Sequence, residues 1–192
     1  MNTKTGLRPG GRSARVQAAV HKAVSELSDS HGRTELTVPL IAARAGVTPS
    51  TIYRRWGDLA ELLADVAKEH LRPEGEPEDT GGVRGDLLRW AELYLDEMTS
   101  EIGLGMMRDV ISGSARGDSP VPCQCAEFTQ SQIQIIIDRA IGRGEDAPTA
   151  EAVMDGVVAP IIYRTLFGPA PLSRQGLHSL IDACMRNALI TA

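Results

Sequence analysis

The stretch TVPLIAARAGVTPSTIYRRWGDLAELL, residues 37–63, decides the fold. Thr37 carries a hydroxyl able to cap free amides, and Pro39 falls in the first turn, where a missing amide proton costs little. Leu40, Ile41, Ala42 and Ala45 then mark a short helix ending at Gly46. Thr48 followed by Pro49 starts another in the same way, and it runs through Ser-Thr-Ile-Tyr-Arg-Arg-Trp until Gly57 breaks it. Asp58 with Glu61 three positions on forms a capping-box-like start for the next. Two short helices joined by Ala45-Gly46-Val47 have the layout of a helix-turn-helix. Gly46 can take the left-handed conformation of a tight turn, Ala42 is small where the helices approach, and Val47 and Ile52 can fill their shared core. Pro49, Ser50, Thr51, Tyr53, Arg54 and Arg55 are left around the exposed side and N-terminal end of the second helix. Hydroxyls and guanidinium groups reach phosphates and base edges, and a helix N-terminus adds free amides and a positive dipole end. One helix fits the width of a major groove.

Outward from this hairpin every apolar pattern is helical. From Ser13, Val16, Ala19, Val20, Ala23, Val24 and Leu27 recur at steps of three and four, with Gly32 as a stop. The fourth helix buries Leu62, Leu63, Val66, Ala67 and Leu71. Residues 72–85, RPEGEPEDTGGVRG, read as a solvated connector. Five more helices follow: one through Leu87 to Met98, a short one at Met106 to Ile111, then about 123–141, 149–167 and 173–190. With no alternating strand pattern, the expectation is an all-α fold of about nine helices. Residues 1–57 would form a helix-turn-helix DNA-binding domain and 58–192 a second, helical domain. Pro160, in mid-helix, removes one hydrogen bond and crowds the residue four back, Gly156, so a kink is expected there.

Composition sharpens the division. The 192 residues carry a formal net charge of -5, which at first speaks against a nucleic-acid partner. Through Gly57, however, nine Lys and Arg face only three Asp and Glu, whereas the remainder holds 11 against 22. A basic head on an acidic body points to an anionic partner for one part only. No apolar run approaches the roughly 20 residues of a membrane span, and the N-terminus lacks a secretory pattern, so a cytoplasmic protein without membrane association is expected. Three cysteines do not make a disulfide framework.

Residues 37–63 resemble the DNA-binding signature of the tetracycline-repressor (TetR) family of bacterial transcription regulators. The likeness lies in the Ala-Gly-Val turn, the Thr-Ile-Tyr-Arg core and the Leu-Leu of the fourth helix. The segment GVVAPIIYRTLFGPAPL is similar to the penultimate helix of many members. The resemblance implies that Thr37 and Tyr53 contact phosphates, that Ser50, Thr51 and Arg54 face base edges, and that Thr48 and Pro49 set up the recognition helix. Arg55 stands where a phosphate-binding histidine is frequent, and Trp56 where phenylalanine is usual. Leu59 departs from the pattern, since that position commonly holds a lysine. Arg55, or Arg8 and Arg12 of the N-terminal arm, could compensate. The resemblance further implies a homodimer on a near-palindromic operator and a small-molecule effector, largely apolar in character, that releases a repressor from DNA. The candidate effector pocket is Trp90, Tyr94, Met98, Met106, Met107 and Phe128, the methionines suiting an adaptable cavity. Because the last two helices carry apolar residues on more than one face, Val158, Ile161, Ile162, Leu166, Leu177, Leu180, Ile181 and Cys184 are the candidate dimer interface.

Other chemistries find no footing. Cys123-Gln-Cys125 lacks zinc-site spacing and partner ligands, so no metal is expected, and neither cysteine has a basic residue within two positions to activate it for redox switching. Phosphate-binding, nucleophile-elbow, His-Glu-X-X-His and dinucleotide motifs are all missing, so neither an enzyme nor a cofactor is expected. Two alternatives stay open: a DNA-binding regulator without an effector, and a helical enzyme or carrier whose basic head binds an anion.

Overall fold

The computed structural model describes residues 11–31, 35–113 and 120–191, and among them it holds helices joined by loops and no strand. The head comprises α1 (Arg12–His31), α2 (Val38–Ala45) and α3 (Pro49–Trp56), followed by α4 (Leu59–His70). The body comprises α5 (Val83–Thr99), α6 (Glu101–Gly113), α7 (Val121–Gly142), α8 (Ala150–Val153), a π turn (Met154–Val158), α9 (Ala159–Phe167) and α10 (Arg174–Thr191). The nine expected helices are present, the eighth as α8, the π turn and α9 in unbroken succession. Arg8 and the expected stop at Gly32 lie outside the described residues. α7 starts two residues earlier than expected because Pro122 is tolerated in its first turn.

The head closes on its own core. Val20, Ala23, Val24 and Leu27 of α1 pack with Ile41, Ala42, Ile52, Trp56 and the α4 residues Leu62 and Leu63. Each fully buried Ile or Leu contributes about 1.5–3 kcal/mol. Thr37 caps α2 by accepting from the Leu40 amide, and Gly46 ends it at φ 67°, a left-handed turn that a Cβ would strain. Asp58 caps α4 through the Glu61 amide at 2.9 Å. Thr48 behaves differently from expectation: its hydroxyl caps no amide of α3 and instead meets the Thr51 hydroxyl at 3.0 Å.

α4 joins the two parts. One side belongs to the head core, while Ala64 and Ala67 pack against Met106 and Val110 of α6 and Val121 of α7. The α4–α6 approach depends on Gly113, where an added Cβ would stand 2.6 Å from the Ala64 Cβ and 3.0 Å from the Ala60 carbonyl oxygen. Gly113→Ala is therefore expected to destabilise by about 1–3 kcal/mol through overpacking. An unchanged melting temperature would show that the two helices separate freely.

The main core lies in the body, where Leu87, Ile133, Ile136, Val153, Ile161, Leu177 and Ile181 are fully buried. The Pro160 problem is solved by widening the helix. The Ala159 amide reaches back five residues to the Met154 carbonyl, and the π turn just precedes the proline. Gly156 is not required for space, since a Cβ there would meet nothing within 4 Å.

The connector is exposed but pinned. Arg139 binds the Pro77 carbonyl at 3.0 Å, and Arg143 binds Asp79 at 3.0 Å and Asp86 at 3.1 Å. Asp86 is completely buried and also accepts from the Thr80 amide at 2.6 Å and the Thr80 hydroxyl at 2.7 Å. Burial pushes the Asp86 carboxyl upward, but Thr80 and Arg143 together hold it below the ordinary carboxylate value.

Candidate nucleic-acid interface and ligand cleft

α3 buries Ile52 and Trp56 and turns Pro49, Ser50, Tyr53 and Arg54 to solvent, with Thr51 at the margin. Tyr53 is 49% exposed, an unusual state for so large a ring unless it has a partner. Thr37 and Thr48, each at a helix start, are exposed as well, and Arg12 opens α1. The nine residues expected to meet DNA thus come from the starts of α1, α2 and α3 and from the exposed face of α3.

Arg55 does something the sequence did not reveal. Its guanidinium binds the Ser13 hydroxyl at 2.6 Å, the Ser13 carbonyl at 3.1 Å and the Gln17 side chain at 2.5 Å, and it lies 5.1 Å from the Trp56 ring centre. It braces α1 against α3, and because these partners are neutral its charge remains on the head. Leu59, standing where a lysine is usual, packs against the head core.

Behind α3 lies a second arrangement unforeseen from sequence. Asp65 of α4 accepts from Trp56 Nε1 at 2.9 Å and Lys68 Nζ at 2.6 Å and meets His21 Nε2 at 3.0 Å, with Gln17 Nε2 at 3.4 Å. One carboxylate thereby ties α1, the end of α3 and α4 together. Its pKa is held well below the ordinary range, first by the His21 hydrogen bond, with Lys68 and Trp56 adding to it against the upward push of burial. A lowered folded-state pKa means stability that is present above the ordinary value of 3.8 and lost as pH falls below it. Asp65→Asn is expected to cost about 2 kcal/mol at neutral pH and to flatten the acid side of the melting profile. Parallel profiles for the two proteins between pH 7 and pH 3 would contradict this.

A large cleft of about 1430 Å³ opens between head and body. Trp90, Tyr94, Met98, Met106 and Met107 all line it, the Trp90 and Tyr94 rings being stacked at 5.2 Å and 19°. Tyr94 is kept protonated, since burial pushes it up to about 12 despite the Thr129 hydrogen bond. Phe128 is not in the lining; Cys125, Ala126, Thr129 and Gln132 form the arc of α7 that faces the cleft. Burial pushes the Cys125 thiol up, away from the reactive thiolate.

The residues expected at a dimer face fall into two settings within the single chain. Val158, Ile162 and Leu166 line the cleft. Ile161, Leu177, Ile181 and Cys184 sit in the core of a single chain, with Leu180 packed against it. The outward side of α9 instead presents Tyr163 and Phe167, 66% and 72% exposed, with ring centres 5.5 Å apart. The reason is periodicity: a helix apolar on two faces spends one on its own core, and the sequence does not say which. Among the described residues no group of His, Cys, Asp and Glu could hold a metal ion, and no helix is long and apolar enough to cross a membrane.

The geometry agrees with comparisons against known proteins. Residues 22–66 match the family profile described as bacterial regulatory proteins, tetR family, and residues 77–184 match that of the tetracyclin repressor-like C-terminal domain. The uncharacterized HTH-type transcriptional regulator Rv1556 of Mycobacterium tuberculosis is 30% identical over 160 residues, 81% of this chain and 79% of its own. The HTH-type transcriptional regulator AqdR of Rhodococcus erythropolis is 30% identical over 194 residues, 93% of this chain and 89% of its own. Among solved structures, the TetR family transcription regulator SCO0332 superposes with a TM-score of 0.66 at 21% identity, covering 90% of this chain and 97% of its own.

Proposed function

The chain belongs to the TetR family of bacterial transcription regulators, and from that premise we propose that it is a dimeric repressor released from a palindromic operator by a small molecule. It is a helix-turn-helix DNA-binding regulator. The observation that carries the reading is the exposed face of α3, where Ser50, Tyr53 and Arg54 stand out while Ile52 and Trp56 anchor the helix from behind. In this reading Ser50, Thr51 and Arg54 meet base edges, and Thr37, Thr48, Tyr53 and Arg12 meet phosphates. Pro49 sets the entry of the helix, and Arg55 holds α1 and α3 at a fixed angle.

Residues 1–57 act as the reading head and 58–192 as the sensing body, with α4 as the joint. Trp90, Tyr94, Met98, Met106 and Met107, together with Val158, Ile162 and Leu166, enclose the effector. The second copy docks on the outward face of α9, where Tyr163 and Phe167 would otherwise leave an apolar patch in water. Selection from random duplex DNA tests the reading. Recovered sites should contain inverted half-sites centred about 10 base pairs apart, or a multiple of that, so that two recognition helices enter successive major grooves. Recovery of no enriched sequence would overturn it.

A further inference from the structure

The cleft is larger than the roughly 300–1,000 Å³ of an ordinary small-molecule site. The body helices supply Met98, Met107, Val158 and Ile162 to its walls, and α1 of the DNA-binding head supplies His21, Val24, Ser25, Ser28 and Asp29. Among the described residues the cleft lining carries five carboxylates, Asp29, Glu69, Glu74, Glu97 and Glu101, and one arginine, Arg72, which pairs with Glu69 at 3.5 Å. Negative charge predominates among these lining groups, which disfavours an anionic ligand. A cationic one would be drawn in, and its apolar part could lie along the Trp90–Tyr94 stack.

His21 belongs to two arrangements at once. It lines the cleft, and its ring meets Asp65, the carboxylate that also holds Trp56 at the end of the recognition helix. The His21 and Trp56 rings lie 6.1 Å apart. A ligand long enough to span the cleft therefore touches the head itself, one hydrogen-bonded carboxylate away from α3.

We propose that the cleft binds a cationic amphiphile lying across the head–body junction, its charged end against α1 at His21, and that Asp65 passes its arrival to the recognition helix through Trp56. This rests on the ligand-responsive reading above. Asp65 does not line the cleft and acts as a positioning residue: displacement of His21 alters the hydrogen bond that Asp65 accepts from Trp56, so the bound and free forms hold α3 differently.

The two tryptophans make the proposal measurable in the whole protein. With 5-fluorotryptophan incorporated, fluorine NMR gives one signal for Trp90 in the cleft and one for Trp56 in the head, assigned by Trp56→Phe. Octylamine, octanol and octanoate, kept below micelle formation, serve as probes of equal length and different charge. Octylamine should move both signals with one midpoint, at a concentration about tenfold lower than octanoate requires. In Asp65→Ala the Trp90 signal should still move at the same midpoint while the Trp56 signal stays still. Asp65→Asn, which keeps an acceptor for the Trp56 indole and guards against a folding failure of the alanine variant, should show a reduced Trp56 response. A stationary Trp56 signal in the unsubstituted protein while Trp90 moves would overturn the inference alone. So would octanoate acting at or below the octylamine concentration, or a Trp56 response undiminished by both Asp65 substitutions. If none of the three probes moves either signal, the ligand-responsive reading falls with it.

Discussion

Replacing Tyr53 and Arg54 together by alanine is expected to weaken operator binding by about 100-fold or more while leaving the melting temperature nearly unchanged. The size follows from what the two side chains offer to DNA. An arginine at a base edge is worth about 1–3 kcal/mol of discrimination, a phosphate contact somewhat less, and a dimer forfeits each of them twice. The absence of a folding penalty follows from exposure, since Tyr53 and Arg54 face solvent while Ile52 and Trp56 keep α3 seated. The single substitutions should separate by role. Arg54→Ala should relax sequence preference at one position of each half-site, whereas Tyr53→Phe should weaken all duplexes alike. An electrophoretic mobility shift series distinguishes these outcomes, and binding undiminished by the double substitution would remove α3 as the recognition helix.

Asp86→Ala should carry the largest stability cost in the body, about 2–4 kcal/mol, because two hydrogen bonds from Thr80 to a buried carboxylate are lost. One of the three carboxylates around Arg143 disappears at the same time, leaving Asp79 and Glu145. In a domain of this size that corresponds to a melting temperature lower by roughly 4–16 °C. The connector would also lose the hold that carries the chain from α4 into α5. Asp86→Asn should cost less, since an amide oxygen can still accept from the Thr80 hydroxyl. A thermal melt of the alanine variant within about 2 °C of the parent would show that the carboxylate contributes little and that the exposed ion pair of Arg143 with Asp79 suffices.

The head was legible because its signals are local. A capping Thr37, the turn at Gly46, Thr48 before Pro49 and the Asp58–Glu61 start are each written within four residues, and all of them mark helix ends in the structure. The apolar liners of the cleft were legible for a related reason, since Trp90, Tyr94 and Met98 recur on one face of α5. What escaped was long-range. Asp65 gathers His21 from 44 residues away, and Arg143 reaches Asp86 from 57 residues away; no spacing rule relates such positions before the chain is folded. On α9 the sequence is degenerate. Ile161 and Ile162 are adjacent and equally apolar, yet the first is buried in the core and the second lines the cleft. Arg55 illustrates a subtler limit, because a guanidinium suited to a phosphate serves equally to bind Ser13 and Gln17.

The basic head and acidic body make salt dependence the most direct test of DNA binding through α3. Fluorescence anisotropy of a labelled duplex carrying the selected operator, titrated with the unsubstituted protein at about 50 and about 200 mM salt, reads the phosphate contribution directly. If two heads together neutralise about 6–10 phosphates, the affinity should fall by roughly 10³–10⁵-fold between these conditions. An affinity independent of salt, or no binding even at the lower concentration, would contradict a regulator that grips DNA through α3 and the helix starts around it.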